Sequence, residues 1–226
     1  MVKKLFCYLI LPLVILGLTY AVVESVMEPV RFNKDKEMRE AVAIERLKDI
    51  RTLQVAFKSE TGHFTSSVDS LKDFYNNGKI NVVMQIGSQD DSLAVDNTAK
   101  IKKRNPRIKP EELYQLYLNG EHLVFSIQSE IPVKDTLFNG RQGFSVDSLA
   151  FIPFCGDSLI LESAVKKVSG VNVPLFEASM PYKSLLKGLD NQLRINLDAE
   201  REDTGRYPGL KVGSITAPNN NAGNWE

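Results

Sequence analysis

The longest apolar stretch of the chain covers Leu5–Val23 and contains no charged side chain. At about 1.5 Å per residue, a helix of that length measures roughly 28 Å, close to the hydrocarbon thickness of a bilayer. Lys3 and Lys4 precede it, as in many exported or anchored proteins. The pattern therefore predicts a retained single-pass membrane anchor at Leu5–Val23.

A cleaved signal peptide is the competing interpretation of the same stretch. Thr19 and Ala21 supply small residues at the −3 and −1 places of a cleavage site. The apolar run exceeds the usual core of about 7–15 residues in signal peptides, which favours the anchor. Cys7 stands at the start of the run, whereas a lipoprotein cysteine follows its end, so we interpret Cys7 as a small apolar residue of the span.

Basic residues on both sides of the run leave its orientation nearly balanced. A short, lysine-containing N-terminal tail is typical of an N-terminus kept in the cytoplasm. We therefore predict that residues 25–226 lie on the periplasmic side of the inner membrane. The basic residues beyond the run, which allow the opposite orientation, are Arg31, Lys34, Lys36 and Arg39.

A helical pattern follows the anchor. Pro29 is predicted to kink or break the chain at the membrane exit, because proline lacks the N–H that an interior helix position needs. Residues 34–60 then read as a long amphipathic helix, which Thr61 and Gly62 end. Its apolar residues fall within about half of the helical circumference: Ala43, Leu47, Ile50, Leu53 and Phe57.

The remaining pattern indicates an α+β fold, with a membrane helix and a long amphipathic helix that packs on a mainly antiparallel sheet. Residues 1–30 form the anchor and linker, and 31–226 form one domain that could be divided near 87–110. That polar segment is predicted to be a loop, with an optional strand at 92–95. The other predicted elements are helices at 67–74, 110–118 and 182–189, and strands at 79–86, 123–128, 148–154, 159–168, 171–179, 192–198 and 210–215.

Composition excludes several kinds of function. Twenty-eight basic and 28 acidic residues give a formal charge of zero, so no nucleic-acid partner is expected. Cys7 belongs to the predicted span, so Cys155 has no partner for an intramolecular disulfide. His63 and His122 lack metal-ligand spacing, and no hydrolase, P-loop or dinucleotide motif occurs. We therefore predict no catalytic, metal or cofactor-binding residues, no cofactor and no enzymatic activity.

Four other features suggest chemistry but have simpler explanations. Cys155 reads as a buried thiol at a strand end, and the aspartates near residue 90 lack the order of a calcium loop. The basic run 100–109 has no interleaved aromatic residue and reads as a solvated loop. Trp225 is predicted to pack back on the domain or on a partner, because a free indole is costly to expose.

The residues AVAIERLKDIRTLQVAFKSETGHF at 41–64, placed after an apolar helix, resemble the N-terminal region of pseudopilins and type IV pilins. The resemblance lies in the long helix and in a closing turn that here contains Phe57, Thr61, Gly62 and Phe64. The chain departs from that family at the prepilin peptidase site, since no glutamate occurs before Glu24. The resemblance therefore implies the helix and turn but not pilin-type processing.

The C-terminal part, 188–226, makes the whole chain resemble uncharacterised single-anchor envelope proteins of Bacteroidota, which implies a location and no activity. Two hypotheses remain. The first is a tethered, non-enzymatic component that assembles with other envelope proteins. The second is a tethered solute-binding module or enzyme whose site is assembled from distant residues, which leaves a small-molecule ligand open.

Overall fold

The structure is a computed structural model that describes residues 11–226. The predictions for Lys3, Lys4, Cys7 and the first six residues of the anchor lie outside the described residues. Thirteen elements follow one another in the described part. They are α1 (Leu11–Thr61), α2 (Val68–Asn77), β1 (Lys79–Ile86), α3 (Ser92–Arg104), α4 (Pro110–Leu118), β2 (Phe125–Pro132), α5 (Val133–Thr136), a 3₁₀ turn (Val146–Ala150), β3 (Ile160–Val168), β4 (Val171–Pro181), α6 (Tyr182–Leu185), α7 (Asn191–Asp203) and β5 (Gly209–Gly213).

Helix α1 runs without a break for 51 residues and contains Pro29 in its interior. The predicted break at Pro29 is therefore wrong. Proline removes one hydrogen bond, the one to the carbonyl of Ser25, and complete turns on both sides keep the backbone helical. The apolar run and the amphipathic segment are consequently two parts of one helix.

The C-terminal half of α1 packs against a three-stranded antiparallel sheet of order β3-β4-β5. Leu47, Ile50 and Leu53 on the helix are fully buried, as are Phe176 and Met180 on β4. Burial of one stripe on a helix and one face of a sheet is the usual way to build an α+β core. The predicted α+β class, with a long apolar N-terminal helix and antiparallel strands, is confirmed.

The end of α1 is held by a buried glutamine. Gly62, with a φ of +80°, reverses the chain after Thr61, as predicted. The side chain of Gln54 then bonds both backbone groups of Thr65: its amide nitrogen donates to the carbonyl at 2.6 Å, and its oxygen accepts from the N–H at 3.2 Å. Phe64 follows this turn into the core, with its ring 4.8 Å from that of Phe176.

A second, smaller hydrophobic cluster lies between the antiparallel pair β1-β2 and helices α3 and α4. Its buried members include Leu113 and Phe125, and it is separate from the main core. The carboxylate of Glu60 joins the two regions, because it accepts from the backbone N–H of Asn81 at 3.0 Å and from its side chain at 2.8 Å. The predicted division of the domain near 87–110 stays a prediction.

Two predicted strands are helices. Asp91 accepts hydrogen bonds from the backbone of Leu93 and Ala94, which starts α3 where a loop and an optional strand at 92–95 were expected. Asp190 accepts from Leu193 at 2.7 Å and starts α7 across the predicted strand 192–198. In both places an N-cap outweighs weak strand propensity, since it satisfies orphan donors of the first helical turn.

The predicted strand 148–154 is also wrong. Val146–Ala150 form a 3₁₀ turn, after which only an isolated bridge joins Phe151 to Ser158. Phe154 and Gly156 both have positive φ values, so the chain reverses before an extended ladder could form. The strands predicted at 79–86, 159–168, 171–179 and 210–215 are confirmed within a few residues, as are the helices at 67–74 and 110–118.

Candidate functional site: the exposed half of α1 and its junction with the domain

The apolar start of α1, residues 12–23, stands clear of the folded domain and is exposed throughout. Leu13, Leu16 and Tyr20 are 68%, 70% and 71% exposed, although they belong to the most apolar part of the chain. Among residues 11–226, α1 is the one helix long and apolar enough to cross a membrane, and none of its apolar window is buried. An unburied apolar helix needs a non-aqueous environment, which supports single-pass membrane anchoring.

Two arginines of α1 bind backbone carbonyls of the domain just beyond this exposed half. Arg39 donates to the carbonyls of Leu185 and Lys187 at 3.0 and 2.9 Å. Its guanidinium also lies 5.2 Å from the ring centre of Phe154. Arg46 donates to the carbonyl of Phe151 at 2.6 Å. The helix is therefore attached to the domain by charged hydrogen bonds as well as by apolar packing.

A polar network lies inside this junction. Tyr182, which is fully buried, donates its hydroxyl proton to Glu40 over 2.5 Å and accepts from Arg201 at 2.8 Å. Burial and the neighbouring Glu40 raise the pKa of Tyr182 well above its ordinary value. The phenol thus remains a neutral donor and joins α1, α6 and α7 through one side chain.

A cleft of about 280 Å³ opens on α1 beside the junction, lined by carboxylates and arginines. Asp49 is almost completely buried there and pairs with Arg141, which also approaches Glu45 at 3.8 Å. Burial raises the pKa of Asp49, and the hydrogen bond from Arg141 only partly offsets that effect. These charges satisfy one another, so the cleft holds a structural ion pair between α1 and the loop before the 3₁₀ turn.

A larger groove of about 830 Å³ runs along the last turns of α1. The C-terminal tail forms one wall, where Glu226 accepts from Arg51 at 2.6 Å. Apolar side chains from α1, β1 and the segment after α5 form the floor. They are Val55, Ala56, Ile80 and Leu137.

The histidines and Cys155 that the sequence raised as candidates do not meet. His63 is exposed at the turn after α1, where its ring packs edge-on against Phe57, and His122 lies exposed before β2. The Cys155 thiol accepts from the backbone of Asp157 at 3.4 Å and closes a tight turn. Among residues 11–226, no three histidine, cysteine or carboxylate side chains come close enough to hold a metal ion.

The acidic and basic residues of 87–110 are explained by α3. Asp91 caps the helix, and Asp96 pairs with Lys100 at 2.6 Å one turn later. Lys102, Lys103 and Arg104 occupy its last turn, where cations complement the helix dipole, so the loop predicted for the basic run 100–109 is wrong up to Arg104. Residues 105–109 do form a loop, and the basic side chains of the run are exposed, as predicted.

Trp225 packs against the main hydrophobic core, as one of the two predicted alternatives requires.

The junction residues themselves escaped the sequence interpretation. Arg39 and Glu40 occupy the side of α1 that also carries the buried Ala43 and Leu47, when positions are projected at about 100° per residue. Charged residues inside an apolar stripe are the one signal that could have found this network. Its partners Tyr182 and Arg201 carry no comparable signal.

Comparisons with protein-family models, with curated proteins and with solved structures found no match for the chain. The pseudopilin and envelope-protein resemblances therefore remain hypotheses.

Proposed function

We propose that the protein is a membrane-tethered component with a non-enzymatic, structural or assembly role in the cell envelope. The observation that carries this proposal is the continuity of α1, whose exposed apolar half and domain-core half form one helix of 51 residues. A continuous helix fixes the distance and the orientation of a domain relative to the membrane. A tethered enzyme or solute-binding module needs only a flexible linker.

The junction supports the same proposal. The charged hydrogen bonds of Arg39 and Arg46 and the Glu40–Tyr182 pair attach the domain to α1 at several positions along the helix axis. Such an arrangement resists rotation of the domain about the helix. The domain lies on the periplasmic side in this proposal, as the short lysine-containing N-terminus suggests.

Membrane attachment and orientation are tested first. The full chain should stay in the membrane pellet after an alkaline wash, and protease added to intact spheroplasts should digest the domain. Release into the soluble fraction would overturn the tether. Digestion only after lysis would place the domain in the cytoplasm.

The assembly role is tested by breaking the rigidity of α1 alone. Seven glycine and serine residues inserted between Val30 and Arg31 make α1 flexible there. The insertion point precedes the buried Phe32 and every contact of Arg39, Glu40 and Arg46 with the domain, so these contacts are unchanged. We expect the variant to stay folded and in the membrane but to lose the large complexes that the wild type forms in mild detergent. A control insertion of seven alanines at the same place keeps the helix and changes the rotation of the domain by only about 20°. Wild-type protein that runs as a monomer, or complexes that survive the flexible insertion, would contradict the proposal.

A tethered solute-binding module is the second candidate, favoured by the groove beside Arg51. Its apolar floor and polar rim are of the kind that bind small ligands. Under this alternative, Val55→Arg, which places a charged chain in the groove, should abolish ligand-induced thermal stabilisation and leave membrane complexes intact.

A further inference from the structure

An apolar face continues along α1 beyond the predicted span. Val23, Val26, Met27 and Val30 are 53%, 62%, 39% and 55% exposed. At about 100° per residue these four side chains share an arc of roughly 100° on the helix. We call this arc the outward face, because Phe32 and Ala43, which are buried in the main core, project nearly to the opposite side.

Charged residues of the same turns lie elsewhere on the helix. They occupy an arc of roughly 60°, turned toward the domain and centred about 120° from the outward face. There they line a shallow cavity of about 230 Å³ with the end of the loop that follows α6. The residues that line it are Glu24, Glu28, Arg31, Phe32, Asp35, Leu189 and Asp190.

We infer that α1 leaves the bilayer leaning away from the folded domain, with the outward face buried in the lipid interface of the membrane that holds the anchor. The inference rests on the proposed membrane tether and adds the direction in which the helix leans. Lipid is the occupant because the outward face begins at Val23, the last residue of the apolar run. The exposed surface is thus continuous with the span.

The opposite lean is unfavourable because of charge. It would press Glu24, Glu28, Asp35 and Asp190 into the interface, where ionised carboxylates are costly. The outward face carries no carboxylate up to Val30, and the next residue on that arc, one turn later, is Lys34. The long side chain of Lys34 can reach the lipid phosphates while the apolar residues of the outward face stay in the interface.

Pro29 fits the same direction. Its missing N–H leaves the carbonyl of Ser25 without a helical partner, and a bare carbonyl in hydrocarbon is costly. Ser25 and Pro29 project to the side of α1 away from the outward face. In the leaning helix that side faces water, which supplies the missing hydrogen bond.

The test compares quenching at two positions, Val30 on the outward face and Glu28 on the charged side. An upright helix and a leaning helix predict opposite orders of quenching at these positions. Val30→Cys and Glu28→Cys are each made in full chains whose Cys7 and Cys155 are replaced by serine. Each is labelled with a small environment-sensitive fluorophore and reconstituted in phosphatidylcholine vesicles, with or without bromine on the acyl chains. Glu28 is nearer to the span, so an upright helix would bring its label closer to the bromines.

The leaning helix predicts the reverse. Bromine should quench the label at Val30→Cys more strongly than that at Glu28→Cys, by about twofold or more, because an interfacial helix buries its apolar face by roughly 5–10 Å. Equal quenching, or stronger quenching at Glu28→Cys, would overturn the inference. An unquenched Val30→Cys label together with ready Val26→Cys disulfide dimers would assign the face to a second copy instead.

Failure of the tether is distinguished by the alkaline wash of the unlabelled protein. Extraction of that protein from the vesicles overturns the membrane tether itself. Retention in the pellet with the wrong quenching order overturns only the lean.

Discussion

Tyr182 donates its hydroxyl proton to Glu40 over 2.5 Å and so links α1 to the start of α6, directly after the end of β4. Arg201 completes the arrangement by donating to the same hydroxyl. The bond is buried and charge-assisted, so it contributes more than an ordinary surface hydrogen bond.

Replacement of the phenol tests this network. Tyr182→Phe should lower the free energy of unfolding of the full chain in detergent by about 1.5–3 kcal/mol, as for a lost hydrogen bond to a charged group. Tyr117→Phe, at an exposed tyrosine, is the control and should change it by less than about 0.5 kcal/mol. Equal effects of the two changes would show that the Glu40 bond carries no stability.

The same network predicts a loss of stability in alkali. Burial and Glu40 raise the pKa of Tyr182 in the folded state, so the folded protein holds this proton more tightly than the unfolded chain. The stabilisation is complete below the unfolded pKa, about 10, and is lost as the pH rises from there toward the folded value. Unfolding by urea between pH 8 and 11 should show that loss, and Tyr182→Phe should show less of it.

The packing of α1 on the sheet sets the expected cost of truncating its buried face. Leu53 is fully buried, so Leu53→Ala should cost about 2–5 kcal/mol. Val55, two residues later and 47% exposed, gives a matched control whose change to alanine should cost less than about 0.5 kcal/mol. A fragment that starts at Arg31 should unfold cooperatively, and a fragment that starts after Gly62 should not. A cooperative transition in the shorter fragment would mean that α1 is a stalk rather than part of the core.

Gly223 in the C-terminal tail lies directly against the ring of Trp225. A Cβ on Gly223 would lie 2.4 Å from the ring of Trp225, so Gly223→Ala should displace the tail. Trp225 is the one tryptophan of the chain, and its emission should shift to longer wavelength as the indole enters water. Gly17→Ala, where a Cβ meets open space, should leave that emission unchanged. An unshifted spectrum for Gly223→Ala would show that the tail tolerates a side chain there.

Docking of the tail should also weaken in acid. The hydrogen bond from Arg51 lowers the pKa of Glu226 in the folded state. A lowered folded pKa stabilises the docked tail above the unfolded value, about 4.3 for glutamate, and that stabilisation is lost as the pH falls below it. The Trp225 emission should therefore shift to longer wavelength below about pH 4, and Glu226→Gln should remove this step. A step that persists in Glu226→Gln would have to come from another carboxylate.

The parts of the fold that local periodicity controls could be predicted from the sequence. The stripe through Leu47, Ile50 and Leu53 marked the buried face of α1, and β-branched runs marked β1, β3 and β4. Helices α3 and α7 were missed because their capping residues, Asp91 and Asp190, compete with short alternating patterns that look like strands. A single side-chain cap decides such cases, and its geometry is absent from the sequence.

The Glu40–Tyr182 pair was harder to predict from the sequence than any helix. Glu40 and Tyr182 are far apart in the chain, and their pairing depends on how β4 ends against α1. Hydropathy cannot distinguish a buried, paired carboxylate from a solvated one, because both are charged residues in an amphipathic helix.

Because α1 is unbroken, the number of residues between the predicted span and the domain sets both the position and the rotation of the domain. Each residue added between Val23 and Phe32 would move the domain by about 1.5 Å along the helix axis and rotate it by about 100°, so one added residue would point its exposed face in a new direction. An insertion of seven residues would raise the domain by about 10 Å and nearly restore its heading, within about 20°. Natural variants of this segment that differ in length should therefore keep to whole turns if neighbours must meet the same face.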